Sequence, residues 1–114
     1  MSTISTHVLD TSRGKPAADV GVRLEREEAP ERWKVVGAGH TDQNGRCAQL
    51  LAGGENLAAG NYRLSFDTKS YFASQKIEGL YPLVQVTFAM RDGDAHFHIP
   101  LLLSPNGYTT YRGS

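Results

Sequence analysis

Apolar and polar residues alternate along most of this chain, and the alternation breaks at points rich in Gly, Pro and Asn. Ile4, Thr6 and Val8 point one way, while Ser5, His7 and Leu9 point the other. That period of two marks a half-buried strand. Residues 11–16 read as a loop because of Gly14 and Pro16. Val20, Val22 and Leu24 alternate with Gly21, Arg23 and Glu25, which predicts a second strand with one polar face. Residues 27–32 are charged and contain Pro30, so a connection is expected there. Residues 33–40 read as a third strand around Val35 and Val36. Asn44-Gly45 suits the positive backbone angles of a tight hairpin, and residues 47–51 are the short fourth strand expected after it.

The second half continues in the same way. Residues 52–60 are small and Gly-rich, a loop. Tyr62, Leu64 and Phe66 alternate with Arg63, Ser65 and Asp67 as a fifth strand. Asp67 and Thr68 are capping residues, and no Gly or Pro interrupts residues 69–76, so one helix of about two turns is expected. Val84, Val86, Phe88 and Met90 form the apolar side of a sixth strand, and residues 91–94 carry Asp-Gly as a hairpin turn. Phe97, Ile99, Leu101 and Leu103 form the apolar side of a seventh strand, and residues 108–112 are the eighth. Eight short strands with regular turns predict an all-β sandwich, in which two packed sheets bury their apolar faces against each other. Residues 1–114 are read as one domain, with no internal repeat or linker.

Composition narrows the partners. Twelve basic and twelve acidic residues give zero formal net charge. No basic surplus is available to release counterions from a phosphate backbone, which argues against nucleic acid. No apolar run approaches the ~20 residues of a membrane span. The first residues, MSTISTHVLD, lack a basic stretch followed by an apolar one, so no secretory signal is read and a cytoplasmic location is expected. The single cysteine, Cys47, excludes an intrachain disulfide and reads as a small buried residue.

Some polar groups exceed what a plain sandwich needs. If Phe97, Ile99 and Leu101 face the core, His96, His98 and Leu102 lie on the outer face, and the same alternation puts His7 outside. An outer face that mixes His with Leu suits one covered by another subunit. Arg46, beside the Asn-Gly turn, is either a solvated turn residue or a fixed fork of donors for an anion or carbonyl. Arg112 can serve similarly or pair with the terminal carboxylate. Three chemistries fit. His96 and His98, with His7, can hold a zinc ion, although no carboxylate stands beside the pair. Histidines that titrate near neutrality can instead move protons to and from water. The third is binding without chemistry.

The closing stretch HFHIPLLLSPNGYTTYRGS resembles the signature ending of the 5-hydroxyisourate hydrolases, the transthyretin-related enzymes of urate breakdown. The start THVLDTSRGKPA and the segment TDQNGR are similar to that family's amino-terminal block and its Gly-Arg segment. Transthyretin itself shares the sandwich but lacks the Tyr-Arg-Gly-Ser ending and these histidines. The resemblance implies a transthyretin-like sandwich of two four-stranded sheets with one short helix. It also implies a homotetramer, a dimer of dimers, with active sites at the subunit interface. The implied reaction is hydrolysis of 5-hydroxyisourate to 2-oxo-4-hydroxy-4-carboxy-5-ureidoimidazoline, with no metal and no cofactor.

Residue by residue, the resemblance assigns catalytic roles to His7, Arg46, His98 and Ser114, and substrate contacts to His7, Arg46 and Tyr111. His7 and His98 are expected to share the base and acid roles, with His7 preferred as base, oriented by Ser114 or its carboxylate, and with the reverse order left open. Arg46 holds the oxyanion and Tyr111 positions the ring. His96 is read as a structural neighbour or as a group that supports the catalytic ones from behind. The alternatives are a transthyretin-like binding protein for small aromatic ligands, without catalysis, and a zinc hydrolase.

Overall fold

The computed structural model describes residues 3–48, 50, 58–91 and 96–113. Its elements are nine strands and one helix: β1 (Thr3–Asp10), β2 (Lys15–Pro16), β3 (Gly21–Ala29), β4 (Arg32–His40), β5 (Arg46–Cys47), β6 (Gly60–Phe66), α1 (Thr68–Ser74), β7 (Val84–Met90), β8 (His96–Ser104) and β9 (Gly107–Thr110). They form the expected sandwich. One sheet runs β4-β3-β6-β7; the other runs β2-β1-β8-β9, with β5 also paired to β1. The second sheet counts five strands because the two-residue β2 and β5 share one edge of β1.

The period-two pattern produces this directly. Ile4, Thr6 and Val8 of β1 are buried, while Ser5, His7 and Leu9 are half-buried on the outer face. Phe97, Ile99, Leu101 and Leu103 of β8 meet Val22, Leu24, Leu64 and Phe66 of the other sheet in one core cluster. Burying each such side chain contributes roughly 1.5–3 kcal/mol relative to exposure. The one buried hydroxyl of the β1 inner row, on Thr6, donates to the Ile99 carbonyl at 2.6 Å. The helix starts where expected: the Asp67 side chain accepts from the Ser70 N–H. Tyr71 and Phe72 anchor it in the core. Among the described residues, no helix is long and apolar enough to cross a membrane.

Several expectations need correction. The charged stretch at residues 27–32 is mostly strand. β3 runs through Ala29, and only Pro30 and Glu31 separate it from β4, with Glu31 at a positive φ of 63°. Pairs such as Glu27 with Trp33 extend beyond the core, where a charged side chain on a strand stays solvated. The Asn-Gly segment is not a hairpin, because β4 and β5 belong to different sheets. Gly45 alone in it takes a positive φ, 76°. The turn is held by Asp42, whose carboxylate accepts the N–H groups of Asn44 and Arg46 at 2.8 and 3.0 Å. A Cβ on Gly45 would also stand 2.4 Å from the Val8 carbonyl oxygen, so this close approach demands glycine. The fourth strand is only Arg46–Cys47; Gln49 and Leu51 lie outside the described residues. The expected hairpin at residues 91–94 extends outside them too, and its flanking strands β7 and β8 sit in different sheets.

Glu25 departs from its expected solvated role. It is only 6 % exposed. Arg63 donates to it twice, at 3.2 and 2.8 Å, and Ser65 once, at 2.5 Å. The Arg63 hydrogen bonds are the main reason its carboxyl sits below the usual range, and they outweigh the desolvation that raises it.

Asp10, at the inner end of β1, is fully buried. Tyr71 donates to it at 2.7 Å, and the Ser12 hydroxyl at 2.6 Å. Burial raises its carboxyl. The side-chain donors Ser12 and Tyr71, with the N–H groups of Arg13 and Ser12, together outweigh that and hold it below its ordinary 3.8. The stability it contributes is therefore complete above 3.8 and is lost as pH falls through the lower folded value. Tyr71→Phe is expected to lower stability by about 1.5–3 kcal/mol near neutral pH. The gap from the unaltered chain should close as the carboxyl protonates. Urea unfolding at a series of pH values measures both, and a gap that persists at acid pH would assign the loss to packing instead.

Candidate active site

Three strands present the candidate residues on one face. β1 and β8 run parallel, in register Thr3 with His96, Ser5 with His98 and His7 with Pro100. On the other edge of β1, antiparallel β5 sets Arg46 opposite His7. Directly opposed residues project to the same side of a sheet. Arg46 and His7 therefore lie in one row, and Ser5 and His98 in the next. The Gly45 turn fixes this placement, because the Val8 N–H donates to the Gly45 carbonyl at 2.8 Å, immediately before Arg46.

A cleft of about 230 Å³ opens here, lined by Ser5, Thr6, Arg46, Ala48, His96 and His98. His96, expected as a structural neighbour or a supporting group, lines the same cleft. Ser5 was missed altogether. It lies 2.8 Å, Oγ to Nδ1, from His98. The available signal was spacing: Thr3-x-Ser5 on β1 matches His96-x-His98 on β8.

Desolvation is the main cause that lowers the His98 pKa, and its electrostatic interactions with His7, Arg46 and His96 lower it further. His98 therefore stays neutral to lower pH than an ordinary histidine. Its Nδ1 faces Ser5, which leaves Nε2 as the nitrogen available for chemistry. The Arg46 side chain is exposed and its main chain is pinned by Asp42. Such a cleft can bind a planar, carbonyl-bearing molecule and move protons on it.

Cys47 follows Arg46 but turns into the core, where burial raises its thiol. That disfavours a thiolate. Among the described residues, no group of three His, Cys, Asp or Glu could hold a metal ion.

The carboxy-terminal residues divide. Gly113 returns to the site: its N–H donates to the His98 carbonyl at 2.7 Å. The Arg112 guanidinium lies 4.0 Å over the Phe97 ring and donates to the His96 carbonyl at 3.3 Å. It thus straps the tail along β8. Tyr111 is 54 % exposed and borders a different cavity, of about 320 Å³, at the open edge between the sheets, near Phe88 and Arg91. Within one chain it does not meet Arg46. Ser114 lies outside the described residues.

Comparison with known proteins shows the family. A sequence model described as the HIUase/Transthyretin family matches residues 4–113. The 5-hydroxyisourate hydrolase of Mus musculus is 45 % identical over 114 residues, covering 99 % of this chain and 96 % of its own. The solved Klebsiella pneumoniae 5-hydroxyisourate hydrolase superposes with a TM-score of 0.87 at 40 % identity, covering 100 % of both chains. Sea bream transthyretin, solved with thyroxine, gives a TM-score of 0.88 at 32 % identity over 96 % of this chain and 93 % of its own. The chain belongs to the HIUase/Transthyretin family.

Proposed function

We propose that this chain hydrolyses 5-hydroxyisourate to 2-oxo-4-hydroxy-4-carboxy-5-ureidoimidazoline, a step of urate catabolism, without a cofactor. The observation that carries the reading is one cleft shared by Arg46, His96 and His98, with His7 in the adjoining row. The long identity to proteins named for this activity supports it. In this reading water attacks a carbonyl carbon of the six-membered ring. His98 Nε2 takes the water proton, and Arg46 holds the oxygen as negative charge develops. The ring C–N bond then breaks, and the imidazolium, with His7 beside it, returns the proton to the leaving nitrogen. A carboxylate and a ureido group result. The sequence prefers His7 as base and leaves the reverse order open; a His98 that stays neutral to lower pH, with Nδ1 on Ser5, favours that reverse order. Ser114 and Tyr111 retain their orienting roles as part of the proposal. A cytoplasmic setting belongs to it too, in keeping with the free, buried Cys47.

The homotetramer is part of the same reading. Leu9 and Leu102, both half-buried, lie on the histidine-bearing face, where a second copy would cover them. Ligand carriage without turnover is the rival, suggested by the thyroxine complex of sea bream transthyretin.

The deciding assay follows the absorbance of 5-hydroxyisourate generated in place by urate oxidase. Decay no faster with the protein than without it would favour the carrier. His98→Asn is expected to cut kcat by about 10²–10⁴-fold, and Arg46→Lys by about 10-fold or more through loss of the planar fork. Both should leave the melting temperature near that of the unaltered chain. Because His98 must be neutral to accept a proton, the acid limb of kcat/KM should have its midpoint below 6.5, the ordinary histidine value. A limb centred above that value would remove His98 as base. Sedimentation should give four chains per particle, and removal of residues 111–114 should abolish turnover while the particle persists.

A further inference from the structure

We infer that Ser5 is a positioning residue for His98, holding its imidazole with Nδ1 toward β1 and Nε2 toward the cleft, while Gly113 closes the ring's opposite edge. The inference rests on the proposed hydrolase reading for its catalytic meaning, but its geometry stands without it.

The arrangement occurs twice. β1 presents hydroxyls at Thr3 and Ser5, and parallel β8 presents imidazoles at His96 and His98 in the same register. Each hydroxyl meets the Nδ1 of its partner: Thr3 meets His96, and Ser5 meets His98 at 2.8 Å. Residues two apart on a strand share a face, so the two pairs stack along one face of the β1–β8 seam. A hydroxyl has lone pairs to accept from Nδ1–H whether the imidazole is neutral or charged. The ring can then gain and lose a proton at Nε2 without turning.

The second contact confines the ring from its other edge. A 180° ring flip exchanges Nδ1 with Cδ2 in nearly the same outline, so the hydrogen bond to Ser5 is what disfavours it. The Cδ2 edge faces Gly113, where a Cβ would lie 2.7 Å from His98 Cδ2 and 3.3 Å from Pro100 Cγ. The 2.7 Å bond from the Gly113 N–H to the His98 carbonyl fixes the tail there. Ser5 thus holds the Nδ1 edge, the Cδ2 edge has no room for a Cβ at position 113, and Nε2 is left for the cleft that His98 lines. Any side chain at position 113 would displace the ring, which gives the tail glycine a steric role in positioning His98.

The test combines spectra with kinetics. Long-range ¹H–¹⁵N correlation spectra of ¹⁵N-labelled protein report the tautomer of each histidine, and His98→Asn identifies the His98 signals by their loss. The unaltered protein should show neutral His98 protonated on Nδ1. Ser5→Ala should mix the tautomers and lower kcat by about 10- to 100-fold, by analogy with the partners that orient a metal-ligating histidine, with KM within about twofold. Ser5→Thr, which keeps the hydroxyl, should restore both. Gly113→Ala should shift the His98 signals and lower kcat. An Nε2–H tautomer in the unaltered protein overturns the inference, and so does Ser5→Ala with unchanged His98 signals and kcat within twofold. If Ser5→Ala fails to fold, the spectrum of the unaltered protein decides. Absence of turnover in the unaltered protein would sink the hydrolase reading alone, since the tautomer measurement needs no substrate.

Discussion

The parallel pairing of β1 with β8 is the constraint on which the molecule depends. It joins Ser5 to His98 across 93 positions of sequence and sets eight residue pairs in one register. A slip of one residue would turn every side chain of β1 to the opposite face. Ile4 and Val8 would leave the core, and His7 would enter it. The same apolar burial that stabilises the sandwich thus fixes where the imidazoles stand. The chemistry of the outer face is kept in place by the packing of the inner one.

The other edge of β1 completes the arrangement. β5 is too short to contribute much burial, yet it delivers Arg46 opposite His7. Its position comes from the turn before it, where the Asp42 carboxylate gathers two N–H groups and Gly45 fits against the Val8 carbonyl. Arg46 itself is exposed. Its main chain is ordered by neighbours that need no guanidinium, so the side chain remains available for a ligand.

What the sequence made legible was whatever alternation controls. The inward Phe97 and Ile99, the outward His96, His98 and His7, and the Asp67 cap follow from periods and caps. Sheet membership did not. A glycine at positive φ serves a hairpin and a crossing between sheets equally, so Asn44-Gly45 could not reveal that β5 would join β1 rather than β4. The burial of Glu25 was hidden for a similar reason: alternation places it outside, but the cover comes from Arg63 and Ser65 on β6. Ser5 escaped notice because its partner lies at the far end of the chain, and one residue's spacing does not announce a parallel neighbour. Tyr111 and Arg112, expected inside the eighth strand, both lie beyond Thr110, where β9 ends, and no repeating pattern dictates their direction.

Synthesis runs from β1 toward β9, so the hydroxyls of Thr3 and Ser5 leave the ribosome long before the histidines they hold. Until His98 and Gly113 emerge, the nascent chain has half a binding face and an unpaired β1 edge. Contacts this distant in sequence form slowly, since a large loop must close before they are rewarded. The cleft therefore exists only in a finished fold: no fragment that stops before β8 contains both the hydroxyls and the imidazoles that line it.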